Sequence, residues 1–321
     1  MTVSPKLIPS AQAFVSTFRT SVDYTGVPIQ YLRDNASPML SDDIPRPKVV
    51  IEKMKIPCYT DGHLIPVDVY RPASAYADEI LPVLVYFPGG AFTLPPQGAH
   101  PYLATKLAGE THCAVFFVNY SLSPEVKFPV ATEECYSVIK YVSNPEHAKA
   151  SRIDPIRVAV GGDSAGGNLA IITTLLAKQR NLENKIKYQV LYYPATDASL
   201  SSESYKQFAD GYFLTKAGVE YHIKKYLSSD EDKNNRFAFP VNATVEDLIG
   251  LPAGLLVTAE ADVLRDEGED YARKLLEANV PVSSFRVLGT VHGFMSVAPL
   301  HSTETLQIID LTTSALRKIF S

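Results

Sequence analysis

Gly162-Asp163-Ser164-Ala165-Gly166 is the stretch from which the rest of this chain can be read. It has the pattern G-x-S-x-G. The residues before it, Ile156-Arg157-Val158-Ala159-Val160-Gly161, predict a short buried strand. The residues after it place Leu169, Ile172 and Leu176 on one apolar side at helical spacing. A serine on a tight strand-to-helix turn has its hydroxyl lifted clear of the sheet, and the following amide faces whatever that hydroxyl attacks. The turn brings strand and helix so close that a Cβ at Gly162 or Gly166 would clash. Five residues of this kind recur by chance. They carry chemistry only if the chain also supplies a base, an acid to orient it and donors for an oxyanion.

Outward from the turn, unbroken apolar runs alternate with helical patterns. The runs are Val83–Phe87, Cys113–Val118, the Val158 strand, Tyr188–Tyr193, Gly254–Ala259 and one around Ser284–Val287. The helical patterns fall at about 100–110, 129–143, 165–180, 266–279 and 303–319. Strands without alternation, separated by helices, predict a mostly parallel sheet with helices on both faces. Residues 49–57 and 63–70 do alternate, and Asp61-Gly62 between them predicts a hairpin at one edge. Ala11–Thr20 fits a short amphipathic helix. Residues 199–239 are too long for a simple crossover and are rich in aromatics, including Tyr205, Phe208, Tyr212, Phe213, Tyr221, Tyr226, Phe237 and Phe239. An insertion on the C-terminal side of a sheet lies where ligands bind in such folds. Most of these rings are expected simply to pack the insertion onto the core.

Composition narrows the function classes. The chain has 321 residues, 46% of them hydrophobic, which suits one large α/β domain with an accessory region. The net charge of −5, without a basic block, argues against nucleic acid. Residues 1–20 match neither a signal peptide nor a membrane span. Cys58, Cys113 and Cys135 are odd in number and widely spaced, so buried free thiols in a reducing, cytoplasmic setting are expected. There is no H-E-x-x-H spacing, P-loop or dinucleotide fingerprint, and no metal or cofactor is expected. The expected partner is a small molecule. A homodimer is the one assembly considered.

The missing chemistry can be sought in chain order. Asp262 comes just past the Gly254–Ala259 run and before the next helix, where a loop can aim it inward. Asp266 and Glu267 already belong to the helix start, where its dipole accounts for an acidic pair. His292, in Thr290-Val291-His292-Gly293-Phe294, is the only histidine that follows both Ser164 and Asp262 at a strand end. His301 lies in a later polar stretch and His222 in the insertion, while His63, His100, His112 and His147 precede the serine. The expected roles are then Ser164 as nucleophile, His292 as base and Asp262 as orienting acid. Pro88-Gly89-Gly90-Ala91-Phe92, after an early strand, is the source of oxyanion-hole amides, with Ala165 as partner.

Together these motifs resemble the hormone-sensitive lipase family of esterases, family IV among microbial enzymes. Tyr86-Phe87-Pro88-Gly89-Gly90-Ala91-Phe92 resembles its H-G-G-G-F loop, and Asn119 through Glu125 its N-Y-R-L-A-P-E segment, followed by Phe128-Pro129. Gly162 through Gly167 is its G-D-S-A-G-G. Asp262 through Gly268 resembles D-P-L-R-D-E-G, and His292-Gly293-Phe294 its H-G-F. The resemblance covers most of the chain from about residue 50. It implies an α/β-hydrolase fold: a core at 48–198 and 240–321 under a helical cap built from 1–47 and 199–239. It also implies cofactor-free hydrolysis of short- to medium-chain acyl esters. Within the oxyanion loop it makes Gly90, Ala91 and Ala165 the donors, while Gly89 shapes the turn. Pro88 stands where the family has a bracing histidine, Ala91 where it has a third glycine, and Ser121 where it has arginine. Pro88 is expected to end the strand and stiffen the loop, and Ala91 to keep its donor with φ negative. Two alternatives stand beside an esterase: a non-catalytic ligand-binding protein on the same fold, and an amidase or peptidase using the same triad.

Overall fold

The computed structural model describes residues 5–17, 24–35, 37–182 and 185–321. Eight strands form one sheet: β1 (Val49–Pro57), β2 (Leu64–Pro72), β3 (Leu81–Phe87), β4 (Ala114–Val118), β5 (Ile153–Asp163), β6 (Ile186–Tyr192), β7 (Ala253–Ala261) and β8 (Val282–Val291). Their spatial order is β1-β2-β4-β3-β5-β6-β7-β8. β1 and β2 form the expected hairpin, with Ile56 opposite Ile65, and β2 pairs antiparallel with β4. From β4 onward every pairing is parallel. β3 and β4 are buried along their whole length, as a strand covered on both faces must be.

The helices, among the described residues, are α1 (Pro9–Val15), α2 (Ile29–Asp34), α3 (His100–Thr111), α4 (Val130–Val142), α5 (Pro145–Ala150), α6 (Ala165–Gln179), α7 (Glu203–Gln207), α8 (Lys216–Tyr226), α9 (Val245–Leu248), α10 (Arg265–Glu277) and α11 (Thr303–Phe320). α3 and α11 pack on each other over one face, and α4 and α6 pack on each other over the opposite face. The five helices expected between and after the strands are all present. α2, α7 and α8 fall in the two segments expected to form a helical cap, while α5 and α9 were not foreseen. α5 is set by local chemistry: Asn144 Oδ1 accepts the amides of Glu146 and His147 ahead of a proline start. The amphipathic stretch at Ala11–Thr20 is helical only as far as Val15, and its last residues lie outside those described.

Parallel strands in register put their C-terminal ends along one edge. Phe87 pairs with Gly162, Asp163 with Tyr192, and Ala261 with Val291. The next residues along β5, β7 and β8 are Ser164, Asp262 and His292. The register therefore places three side chains at one edge that are far apart in the chain. α7 and α8 lie in the long excursion between β6 and β7, and α1 and α2 in the N-terminal segment. Tyr221 on α8 donates its hydroxyl to the Val27 carbonyl (2.7 Å), and Phe213 meets Phe14 edge-on with centroids 5.0 Å apart, so excursion and N-terminal segment are packed together.

Candidate active site

Ser164 has φ 55° and ψ −121°, a backbone conformation that residues other than glycine rarely adopt. A Cβ on Gly162 would collide with the Gly166 carbonyl, and one on Gly166 with the Phe87 carbonyl. The strand and helix meet as closely as the two glycines predict. Ser164 N–H donates to Tyr192 O (2.9 Å), which ties the turn to β6.

His292 Nε2 lies 2.9 Å from Ser164 Oγ, and His292 Nδ1 lies 2.7 Å from Asp262 Oδ2. A carboxylate only accepts, so Nδ1 carries the hydrogen and Nε2 is left to accept from the serine. The other carboxylate oxygen of Asp262 accepts Leu264 N–H (3.0 Å). Asp262 is sealed from solvent at 1% exposure and His292 is nearly so at 6%. The Tyr193 ring supports the imidazole, with centroids 4.8 Å apart. Such an arrangement can take a proton from the serine hydroxyl as it attacks a carbonyl carbon and deliver it to a leaving group. Asp266 and Glu267 are elsewhere. Asp266 accepts Ser204 N–H (2.7 Å) and pairs with Arg265 (2.7 Å). Glu267 is buried and accepts the amides of Thr196 (2.6 Å) and Asp197 (3.2 Å), so it braces the start of the excursion and is more than a response to the helix dipole. Burial pushes its carboxyl well above the usual carboxylate range.

The loop after β3 departs from expectation in one respect. Ala91 has φ +51°, not negative, and it follows Gly90 at φ +138° and precedes Phe92 at φ +62°. The chain winds left-handed here because Thr93 and Leu94 donate back to the Gly90 carbonyl at 2.9 and 2.7 Å, closing a tight turn. Among the described residues, none accepts a hydrogen bond from the amides of Gly90, Ala91 or Ala165. All three residues line the cavities at Ser164. Gly89 does not share that freedom: its amide donates to Asp163 Oδ1 (2.9 Å), so it frames the loop and is no donor to a substrate.

Asp163 is the loop's brace, and sequence reading passed over it as the variable residue of the G-x-S-x-G pattern. Its Oδ1 also accepts from the Tyr86 hydroxyl (2.9 Å) and His100 Nε2 (2.8 Å). Gln97 N–H donates to His100 Nδ1 (2.6 Å), which fixes the proton on Nε2. Burial alone would push the Asp163 carboxyl up, but His100, the Gly89 amide and Tyr86 outweigh it and hold it below its ordinary value. Pro88 ends β3 as expected, and its carbonyl accepts the Tyr120 hydroxyl (2.8 Å). Ser121, in place of arginine, gives its amide and its hydroxyl to the buried Glu134, both at 2.6 Å.

Two cavities meet at Ser164. The larger, about 370 Å³, reaches His292, Gly293, Ser296 and the N-terminal segment at Phe14, Tyr24 and Leu32. The smaller, about 40 Å³, lies toward Ala165, Phe239, Ile223 and Leu264. The three cysteines are free and buried. Among the described residues one group has metal-ligand character, Cys58, Asp61 and His63 at the β1–β2 turn, but none of the three lines either cavity. No helix among the described residues is long and apolar enough to cross a membrane.

Known proteins resemble this chain in sequence and shape. The sequence model of a family described as alpha/beta hydrolase fold matches residues 84–296. An arylesterase of Saccharolobus solfataricus is 34% identical over 90% of this chain and 92% of its own length. An ethyl acetate hydrolase of Pseudomonas putida is 34% identical over 75% of this chain and 74% of its own. Among solved structures, a fungal esterase from Rhizomucor miehei superposes with a TM-score of 0.91 at 39% identity, covering 99% of this chain and 98% of that one.

Proposed function

The chain belongs to the α/β-hydrolase family and is a carboxylic ester hydrolase, and on that footing we propose that it is a serine carboxylesterase of the hormone-sensitive lipase group. The observation that carries this is the unbroken relay from Asp262 Oδ2 through His292 to Ser164 Oγ, with links of 2.7 and 2.9 Å. In the proposed mechanism Ser164 Oγ attacks the ester carbonyl carbon while His292 Nε2 takes its proton. The amides of Gly90, Ala91 and Ala165 receive the developing oxyanion. The tetrahedral intermediate collapses as His292 protonates the leaving alcohol. A water, deprotonated by the same imidazole, then releases the acid from the acyl-enzyme. Asp262 holds the imidazole tautomer and stabilises the imidazolium.

The leaving alcohol must lie on the side of His292, so the alcohol portion is assigned to the larger cavity, which touches that residue. The acyl portion falls to the smaller one beyond Ala165. This supports short to medium acyl chains. The segments 1–47 and 199–239 act as a cap over a core of 48–198 and 240–321, and their mutual packing at Val27–Tyr221 and Phe14–Phe213 supports that division.

The test is turnover of p-nitrophenyl butyrate by the purified protein and by Ser164→Ala. Wild type should show burst kinetics under pre-steady-state conditions. The variant should fold and lose activity by several orders of magnitude, about a million-fold at most as in comparable triads. A folded variant that retains a tenth of wild-type turnover would sink the assignment.

A further inference from the structure

We infer that His222 is a substrate-recognition group, and that the preferred esters carry a second oxygen acceptor, such as an ether or keto oxygen, close to the ester that is cleaved. This rests on the esterase reading above. His222 lies on α8 and lines both cavities at Ser164. It is held firmly. Tyr226, one turn on, stacks on Phe92 of the oxyanion loop with centroids 3.8 Å apart and planes within 7°. Its neighbour Tyr221 donates to the Val27 carbonyl (2.7 Å). The His222 ring is therefore placed by the loop and the N-terminal segment together.

Its two nitrogens have different surroundings. Nδ1 lies 2.7 Å from Thr93 Oγ1. Thr93 is fully buried, and among the described residues His222 is the one partner of its hydroxyl. If Nδ1 carried the hydrogen, the threonine hydrogen would be buried with no acceptor, which folding penalises. Thr93 therefore donates to Nδ1, and the ring hydrogen sits on Nε2. Nε2 has no partner among the described residues, yet it is absent from the sealed, unpartnered polar atoms of the protein, so it is open to a cavity. Burial pushes the imidazole down to about 4, so it stays neutral at ordinary assay pH. The result is one fixed N–H in a space whose smaller part is mostly apolar, with Phe92, Leu214, Ile223 and Phe239 in its lining beside the polar Asp197 and Tyr205. An all-hydrocarbon substrate would strip water from that N–H and return nothing. A substrate oxygen would replace the water, and sites with a dedicated donor reject analogues that lack the acceptor.

Isosteric pairs test this on each side of the scissile bond. p-Nitrophenyl methoxyacetate and p-nitrophenyl butyrate differ by an oxygen for a methylene on the acyl side. 2-Ethoxyethyl acetate and pentyl acetate differ likewise on the alcohol side. The readout is the ether-to-alkyl ratio of kcat/KM, divided by the same ratio for hydroxide-catalysed hydrolysis. In wild type this quotient should exceed unity in at least one pair by about 2- to 10-fold, the worth of one net hydrogen bond. In His222→Phe it should fall to unity or below, because the ether oxygen would then be buried without a donor. His222→Gln, which keeps an N–H, should restore part of it. If the Phe variant shows no cooperative melt, Thr93→Val takes its place: it removes the hydroxyl that fixes the tautomer and should lower the quotient. A wild-type quotient of unity in both pairs overturns the inference, as does a quotient that survives in the Phe variant or, where that does not fold, in Thr93→Val. Turnover of all four esters without any oxygen preference would strike only this inference. Failure of wild type on every ester would remove the esterase reading with it.

Discussion

Asp262 and Asp266 are four residues apart on the same stretch of chain, and what distinguishes them is direction. Asp262 leaves the end of β7 facing His292 (2.7 Å), while Asp266 turns toward Ser204 and Arg265. Asp262→Asn keeps a hydrogen-bonding group but favours the wrong imidazole tautomer, a change worth about 10⁴-fold in a comparable triad. Asp266→Asn should cost less than about 10-fold, since it alters a brace at the helix start. Both rates are readable with p-nitrophenyl acetate, and the reverse ranking would disprove the assignment of Asp262. Ala91 shows the limit of reasoning at this scale. Its amide has no acceptor among the described residues, but sits at φ +51° rather than the negative φ expected for alanine. Nothing in the residue type announces this, because the turn is imposed by the bonds from Thr93 and Leu94 to Gly90.

Between elements, two ion pairs lie outside both cavities. Arg33 on α2 donates to Thr93 O (2.9 Å), Ser123 O (3.0 Å) and both carboxylate oxygens of Glu125 (2.8 Å each), so it fastens the N-terminal segment to the loop after β3. Its hydrogen bonds hold the Glu125 carboxyl down at about 2, so the pair stays charged through mild acid. Arg33→Met should lower kcat/KM by about 10-fold, a loss of about 1.4 kcal/mol in transition-state stabilisation, with the triad intact. It should also hasten proteolytic clipping ahead of residue 48. Unchanged rates and unchanged clipping would show the contact to be incidental. His63, at the β1–β2 turn, sits between Glu134 (2.7 Å) and Asp61 (2.6 Å), and the Glu134 contact, then the Asp61 contact, raises its pKa. A raised folded-state value means the stabilisation is complete below about 6.5, the unfolded value, and is lost as pH climbs through the folded one. His63→Gln should therefore melt below wild type at pH 6, with the gap closing toward pH 9. The ring is more than a third exposed, so only a few degrees are expected. A gap that widens with pH would refute the pairing.

For the molecule as a whole, the two cavities and the segments over them set what can be hydrolysed. The small space beyond Ala165 should favour acyl chains of roughly two to eight carbons, each buried methylene being worth only about 0.8 kcal/mol. A p-nitrophenyl ester series should peak in that range and show no jump at an oil–water interface. Faster palmitate than butyrate hydrolysis, with interfacial activation, would instead indicate a lipase with an open acyl site. Residue periodicity laid out the order of strands and helices, because buried strands and amphipathic helices have different periods, and chain order singled out Ser164, Asp262 and His292 as candidates, because three strand ends carry them. What depends on contacts between distant segments came only with folding. It brought His100 63 residues forward onto Asp163, set Arg33 on the carbonyls of Thr93 and Ser123, and turned His222 on Thr93 to face the cavities. Sequence patterns record which face of an element is apolar. They do not record which side chain of another element will meet it, since that follows only from how the elements are stacked.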